Sequence, residues 1–135
     1  MTEDNGIIEF NEWQKINLRV AEIKKVEDIE GADKLYKLTL DIGKEIGERK
    51  SEISTGSPDK SNQRIICAGI KEFYSKEELL GKKIVVFVNL KPRLMKGIES
   101  QGMLLAAVSY DDSGKEKEVV LICPEKNIGN GERIS

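Results

Sequence analysis

Apolar and polar residues alternate along Lys34–Ile42, with Tyr36, Leu38, Leu40 and Ile42 on one face and Leu35, Lys37, Thr39 and Asp41 on the other. A period of two predicts a strand with one strongly apolar face. An earlier strand begins at Leu18-Arg19-Val20-Ala21-Glu22-Ile23, where Leu18 and Val20 share a face. Ile23, Val26 and Ile29 do not keep that parity, which predicts a bulge or bend between Ala21 and Lys25. Glu30-Gly31-Ala32-Asp33 reads as the turn between the two strands. Before them, Phe10, Trp13 and Ile16 follow one another at spacings of three, with Asn11 placed as an N-cap. That predicts one helical turn with an apolar face.

The polar, glycine-containing segment 43–62 predicts a long hairpin or loop. Arg64–Ala68 reads as a buried strand. Ser75-Lys76-Glu77-Glu78 matches a capping box, so a short helix is expected to run to Leu80 and stop at Gly81. Further strands are predicted at Lys82–Asn89, Met103–Tyr110 and Glu118–Cys123, the last two joined by the turn Asp111-Asp112-Ser113-Gly114. Gly129–Ile134 reads as a turn and a last short strand. Strands dominate, and one helix falls between the third and fourth. The order predicts an all-β protein: a five-stranded OB-fold barrel with short helices and additional C-terminal strands. Residues 1–8 are expected to be a flexible tail and 9–135 one domain.

Composition narrows the chemistry. At 135 residues the chain has the size of a single domain. The longest apolar run, Met103–Val108, is far too short to cross a bilayer. The acidic N-terminus lacks a signal-peptide pattern, which leads to a cytoplasmic expectation. There is no histidine, so a Ser–His–Asp hydrolase, a His-paired cysteine enzyme and any His-containing zinc site are excluded. The only two cysteines, Cys67 and Cys123, cannot complete a zinc tetrahedron, and they form no C-x-x-C pair. Both lie in apolar stretches that predict buried free thiols, with a disulfide between them left open. No cofactor or metal is expected. Glu27, Asp28 and Glu30 cluster beside a turn and read as a solvated turn. Gly56-Ser57-Pro58-Asp59-Lys60-Ser61 lacks the spacing of a phosphate loop.

The near-neutral net charge of −2 conceals an asymmetry. From residue 82 to 98, Lys82, Lys83, Lys91, Arg93 and Lys96 are unaccompanied by any acid. A local positive patch attracts polyanions whatever the net charge. Lys91-Pro92-Arg93, with Lys96, follows a core strand and contains a proline, so its cations are expected at a rigid edge. Gly97-Ile98-Glu99-Ser100-Gln101-Gly102-Met103 comes next. Without a histidine to activate it, Ser100 reads as a hydrogen-bonding group rather than a nucleophile. Ser100 and Gln101 are candidates to meet bases or phosphates, and Met103 offers a flexible apolar surface on which a base can lie.

Several blocks then resemble one family in order and register. They are Leu18–Ile23, Ala32-Asp33-Lys34-Leu35-Tyr36, Cys67-Ala68-Gly69-Ile70, Tyr74–Lys83, Asn89-Leu90-Lys91-Pro92-Arg93 and Gly97–Ala107. Together they resemble the tRNA-binding domain of the methionyl-tRNA synthetase C-terminal or beta-subunit type. The same module occurs in stand-alone structure-specific tRNA-binding proteins and in the endothelial monocyte-activating polypeptide. The resemblance implies an OB-fold that binds tRNA by shape near the outer corner of the L. It implies no catalysis and no DNA partner. It also implies a homodimer held by segments outside the barrel, with a dimerisation extension from about residue 111, and a methionyl-tRNA synthetase catalytic subunit as a further partner. Carried over by position, the tRNA-binding residues are Lys34, Asn89, Lys91, Arg93, Ser100, Gln101 and Met103, beside Lys96 from the basic patch. The chain departs from many relatives in placing Leu94 and Met95 before Lys96, which shifts or removes one phosphate contact. The polar insert around 44–62 resembles instead an export-chaperone branch of the same fold. That makes a protein-folding chaperone the alternative reading, which the Ser100-Gln101-Gly102-Met103 block disfavours.

Overall fold

The computed structural model describes residues 6–43 and 62–135. The expectation for the 44–61 part of the polar insert lies outside the described residues. Helix α1 (Phe10–Trp13) precedes β1 (Leu18–Ile29), β2 (Ala32–Asp41) and β3 (Gln63–Ala68). Helix α2 (Lys76–Leu79), β4 (Lys83–Phe87), β5 (Arg93–Met95) and β6 (Ile98–Ser100) follow. Then come β7 (Met103–Leu104), β8 (Ala106–Tyr110), β9 (Glu116–Leu121) and β10 (Arg133–Ile134). The fold is all-β with short helices. The main antiparallel sheet has the order β3-β2-β1-β4-β7. Strand β10 pairs Leu18 and Arg19 on the edge of β1 that β2 occupies further along. No helix among the described residues is long and apolar enough to cross a membrane.

The alternating face of β2 is the centre of the core: Tyr36, Leu38, Leu40 and Ile42 are buried beside Ile66, Ile84 and Val86. Removing one such side chain from water contributes about 1.5–3 kcal/mol. The register of β1 shifts between Ile23 and Lys25. The extra residue lets both Ile23 and Val26 face the core in an element of period two, as the sequence parity requires. The Ser75 capping box forms, with the Ser75 hydroxyl accepting from Glu78 N–H and the Glu78 carboxylate from Ser75 N–H. Tyr74 anchors the following C-terminal strands, its hydroxyl oxygen accepting the Leu121 N–H at 3.1 Å.

Several expectations are corrected. Helix α1 is capped by Glu9, not Asn11, because Glu12 accepts the Glu9 N–H at 3.1 Å. It buries no residue, and Phe10 is exposed. The single strand expected over Met103–Tyr110 is two strands. Leu105 donates to Val85 O and its carbonyl accepts Ile122 N–H, so the chain leaves the main sheet there and pairs with β9 instead. The segment after β4, for which no strand is predicted from the sequence, contains the hairpin β5–β6. Both cysteines are free, but only Cys67 is buried; Cys123 is exposed.

Candidate nucleic-acid interface

The β5–β6 hairpin carries the basic patch. Its turn is Lys96-Gly97, with φ of 50° and 82°. Two successive left-handed residues make the turn that matches strand twist in a two-residue hairpin, and glycine takes the second place without a Cβ penalty. One face of the hairpin is apolar: Met95 and Ile98 pack on Cys67, Ile29 and Ala32. That packing fixes the hairpin against the barrel. Arg93 lies two residues before Met95, on the same face of the strand.

A cleft of about 290 Å³ opens between this hairpin, β3, β7 and the β8–β9 pair. Its lining includes Lys91, Arg93, Ser100 and Met103, so these candidates come together. Met95, Leu104, Val108 and Val119 supply apolar walls, and Glu116 is the one acid among the described residues of the lining. Met103 is 44% exposed, so it is surface rather than core filling. Lys34 sits on β2 where its carbonyl accepts Lys71 N–H, next to the Gly69–Ile70 end of the cleft. Lys96 is at the hairpin tip, exposed and away from the lining. Among the described residues no ion pair engages Lys34, Lys91, Arg93 or Lys96. Two acids of β1 are engaged with other lysines. Glu27 pairs with Lys25 and Lys37, and Asp28 with Lys71 and Lys76. Lys76, then Lys71, hold the Asp28 carboxyl below its ordinary value.

The remaining candidates have different surroundings. Ser100 is 4% exposed. Its hydroxyl accepts Cys67 N–H at 3.0 Å and donates to Gly102 O at 3.1 Å. The Gln101 side-chain oxygen accepts Ile65 N–H at 3.0 Å, while Gln101 N–H donates to Ile65 O at 2.8 Å. These bonds join β3 to the β6–β7 connection, where the main sheet itself forms no ladder. Two side-chain bonds and one backbone bond thus bridge the gap between the two edges of the open sheet. Gly102 is needed at this gap: at φ 149°, a Cβ there would lie 2.8 Å from Phe87 O. Asn89 is exposed, but its side chain is engaged, its oxygen accepting Asn17 N–H and its amide donating to Lys15 O. It ties the end of β4 to the α1–β1 turn.

Sequence reasoning did not single out Arg64. It donates from Nη1 to Val88 O at 2.6 Å and to Gln101 O at 3.2 Å. Nothing local marks it, because both acceptors are distant in the chain.

The profile of the family described as "Putative tRNA binding domain" matches residues 18–133. A methionine–tRNA ligase of Caldanaerobacter subterraneus subsp. tengcongensis is 42% identical over 128 residues, covering 95% of this chain and 16% of that protein. The chain therefore spans about one-sixth of the length of that relative. Among solved structures, the MetRS related protein from Pyrococcus horikoshii matches with a TM-score of 0.73 at 33% identity, covering 96% of this chain and 98% of that one. The CsaA chaperone protein from Picrophilus torridus matches with a TM-score of 0.72 at 29% identity, covering 96% of this chain and 100% of that one.

Proposed function

Because the chain belongs to the tRNA-binding domain family, we propose that it binds tRNA through the cleft beside the β5–β6 hairpin and catalyses nothing itself. The observation that carries this reading is the convergence of Lys91, Arg93 and Met103 on one concavity, with the cations unpaired among the described residues. Cations displace counterions from phosphates, and the methionine offers an apolar surface to an unstacked base. Lys34 and Lys96 extend the field on either side. Ser100, Gln101 and Asn89 serve by holding the surface in shape. In the cytoplasm the chain would act as a stand-alone beta subunit or tRNA-binding cofactor, raising the tRNA affinity of a methionyl-tRNA synthetase catalytic subunit. We read it as a homodimer joined through the C-terminal extension from about residue 111, where Val120 and Ile122 are exposed.

The test is tRNA binding over a range of salt concentrations. Lys91→Ala and Arg93→Ala should each weaken binding, and each lost phosphate contact should reduce the log–log salt slope by about 0.7–0.9. A folded double variant that binds tRNA as the native chain does would refute the assignment. The likeness to the CsaA chaperone supports the alternative of an export or protein-folding chaperone on the same dimer. Binding of unfolded polypeptide without binding of tRNA would favour it.

A further inference from the structure

Beside the cleft lies a second concavity of about 510 Å³, lined by Arg64, Val88, Asn89, Leu90, Lys91, Pro92 and Gln101. Lys91 and Leu90 line both. Arg64 is half-buried at its floor. Its Nη1 spends its two hydrogens on the carbonyls of Val88 and Gln101. Among the described residues nothing accepts from Nε or Nη2, and no carboxylate pairs with this guanidinium. Carbonyl dipoles orient the group without neutralising it. Burial lowers its pKa from the ordinary guanidinium value, the mark of a desolvated cation. A cation that has lost water and gained no counterion is a receptor for an anion. The anchoring carbonyls belong to the end of β4 and to the β6–β7 connection, so the remaining donor edge is held rigidly.

We infer that Arg64 and Lys91 form a phosphate subsite in this groove, which receives a backbone phosphodiester of the RNA next to the segment lying in the cleft. The inference deepens the tRNA reading and rests on it. A carboxylate would also meet the fork of an arginine. The second cation at the same groove favours the phosphodiester, which continues along a strand into the adjoining cationic cleft.

The experiment combines variants with a direct probe of the native chain. Arg64→Gln and Arg64→Lys are compared with the native chain for tRNA affinity, salt slope and Tm. The expected result for Arg64→Gln is a loss of about 10- to 100-fold, from the removal of a charged hydrogen-bonding group. Its salt slope should fall by about 0.7–0.9. Arg64→Lys should keep the slope and lose part of the affinity, because it keeps the charge without the fork. A folded Arg64→Gln chain with native affinity and slope overturns the subsite. Should Arg64→Gln not fold, the Arg64 Nε–Hε resonance of the native chain decides. A shift on adding tRNA supports the subsite, and an unmoved resonance on a bound complex overturns it. If the native chain binds no tRNA, the parent reading has failed. Titration with inorganic phosphate then judges the groove alone: a shifted Arg64 resonance supports a site for free phosphate, and an unmoved one rejects the site.

Discussion

Ser100 accepts the backbone N–H of Cys67 at 3.0 Å, across a gap in the sheet that no strand ladder closes. The backbone of the same serine pairs with Arg93 in the β5–β6 hairpin. Ser100 therefore couples the barrel wall to a cation of the cleft. Replacing it with alanine leaves a buried N–H and the Gly102 carbonyl without their partner, at a cost of about 1–3 kcal/mol. Ser100→Ala should lower Tm, weaken tRNA binding and leave the salt slope unchanged, since no charge is removed. An unchanged Tm with lost affinity would make Ser100 a direct reader of RNA.

Lys96 separates stability from binding. A non-glycine residue in the left-handed region carries a penalty of about 1–2 kcal/mol, and Lys96 has φ 50°. Lys96→Gly should therefore raise Tm slightly while weakening tRNA binding through loss of an exposed cation. Thermal unfolding and a binding isotherm on the same sample check both. A lowered Tm would argue that the lysine stem supports the hairpin.

Asp28 sets part of the acid stability. The hydrogen bond from Lys76, then that from Lys71, lowers its folded pKa below the ordinary 3.8. A depressed carboxyl contributes stability above its unfolded pKa and loses it as pH falls through the folded one. Asp28→Asn should thus be less stable than the native chain at neutral pH, and the Tm gap should close as pH falls below about 4. The effect is small because the site is exposed and screened. A gap that stays constant down to pH 2, roughly, would place its cause elsewhere.

The C-terminal hairpin carries the dimer prediction. Val120 and Ile122 are 54% and 42% exposed, while Val119 and Leu121, which alternate with them, are buried. One apolar face serves the core and the other is open. Val120→Glu should turn a sedimenting dimer into a monomer with little change in the fold of the barrel. A native chain that sediments as a monomer, or a variant that remains a dimer, would remove this face from the assembly.

Local signals were readable wherever neighbours in the chain do the work. The β2 alternation, the parity break of β1 and the Ser75 capping box each depend on residues within a few positions, and each is found where the pattern places it. The α1 cap was misjudged because two groups compete there: the Glu9–Glu12 pair takes the position assigned to Asn11. The Met103–Tyr110 strand was overextended because composition does not reveal a change of sheet. Val85 and Ile122 decide it at Leu105, and both come from elsewhere in the chain.

The same division holds for the site. By itself, the sequence determined the all-β class, the unbalanced cations of 91–96, the absence of histidine chemistry and the family blocks. Only the tertiary structure decided which of those residues face a concavity. It engaged the side chains of Ser100, Gln101 and Asn89 as ties between distant segments, left Lys91, Arg93 and Met103 at the cleft, and brought Arg64 to the exit of β4. The physical reason is that side-chain type states what a residue can bond to, whereas the partners that use up those bonds are supplied by segments that the fold brings together across long chain separations.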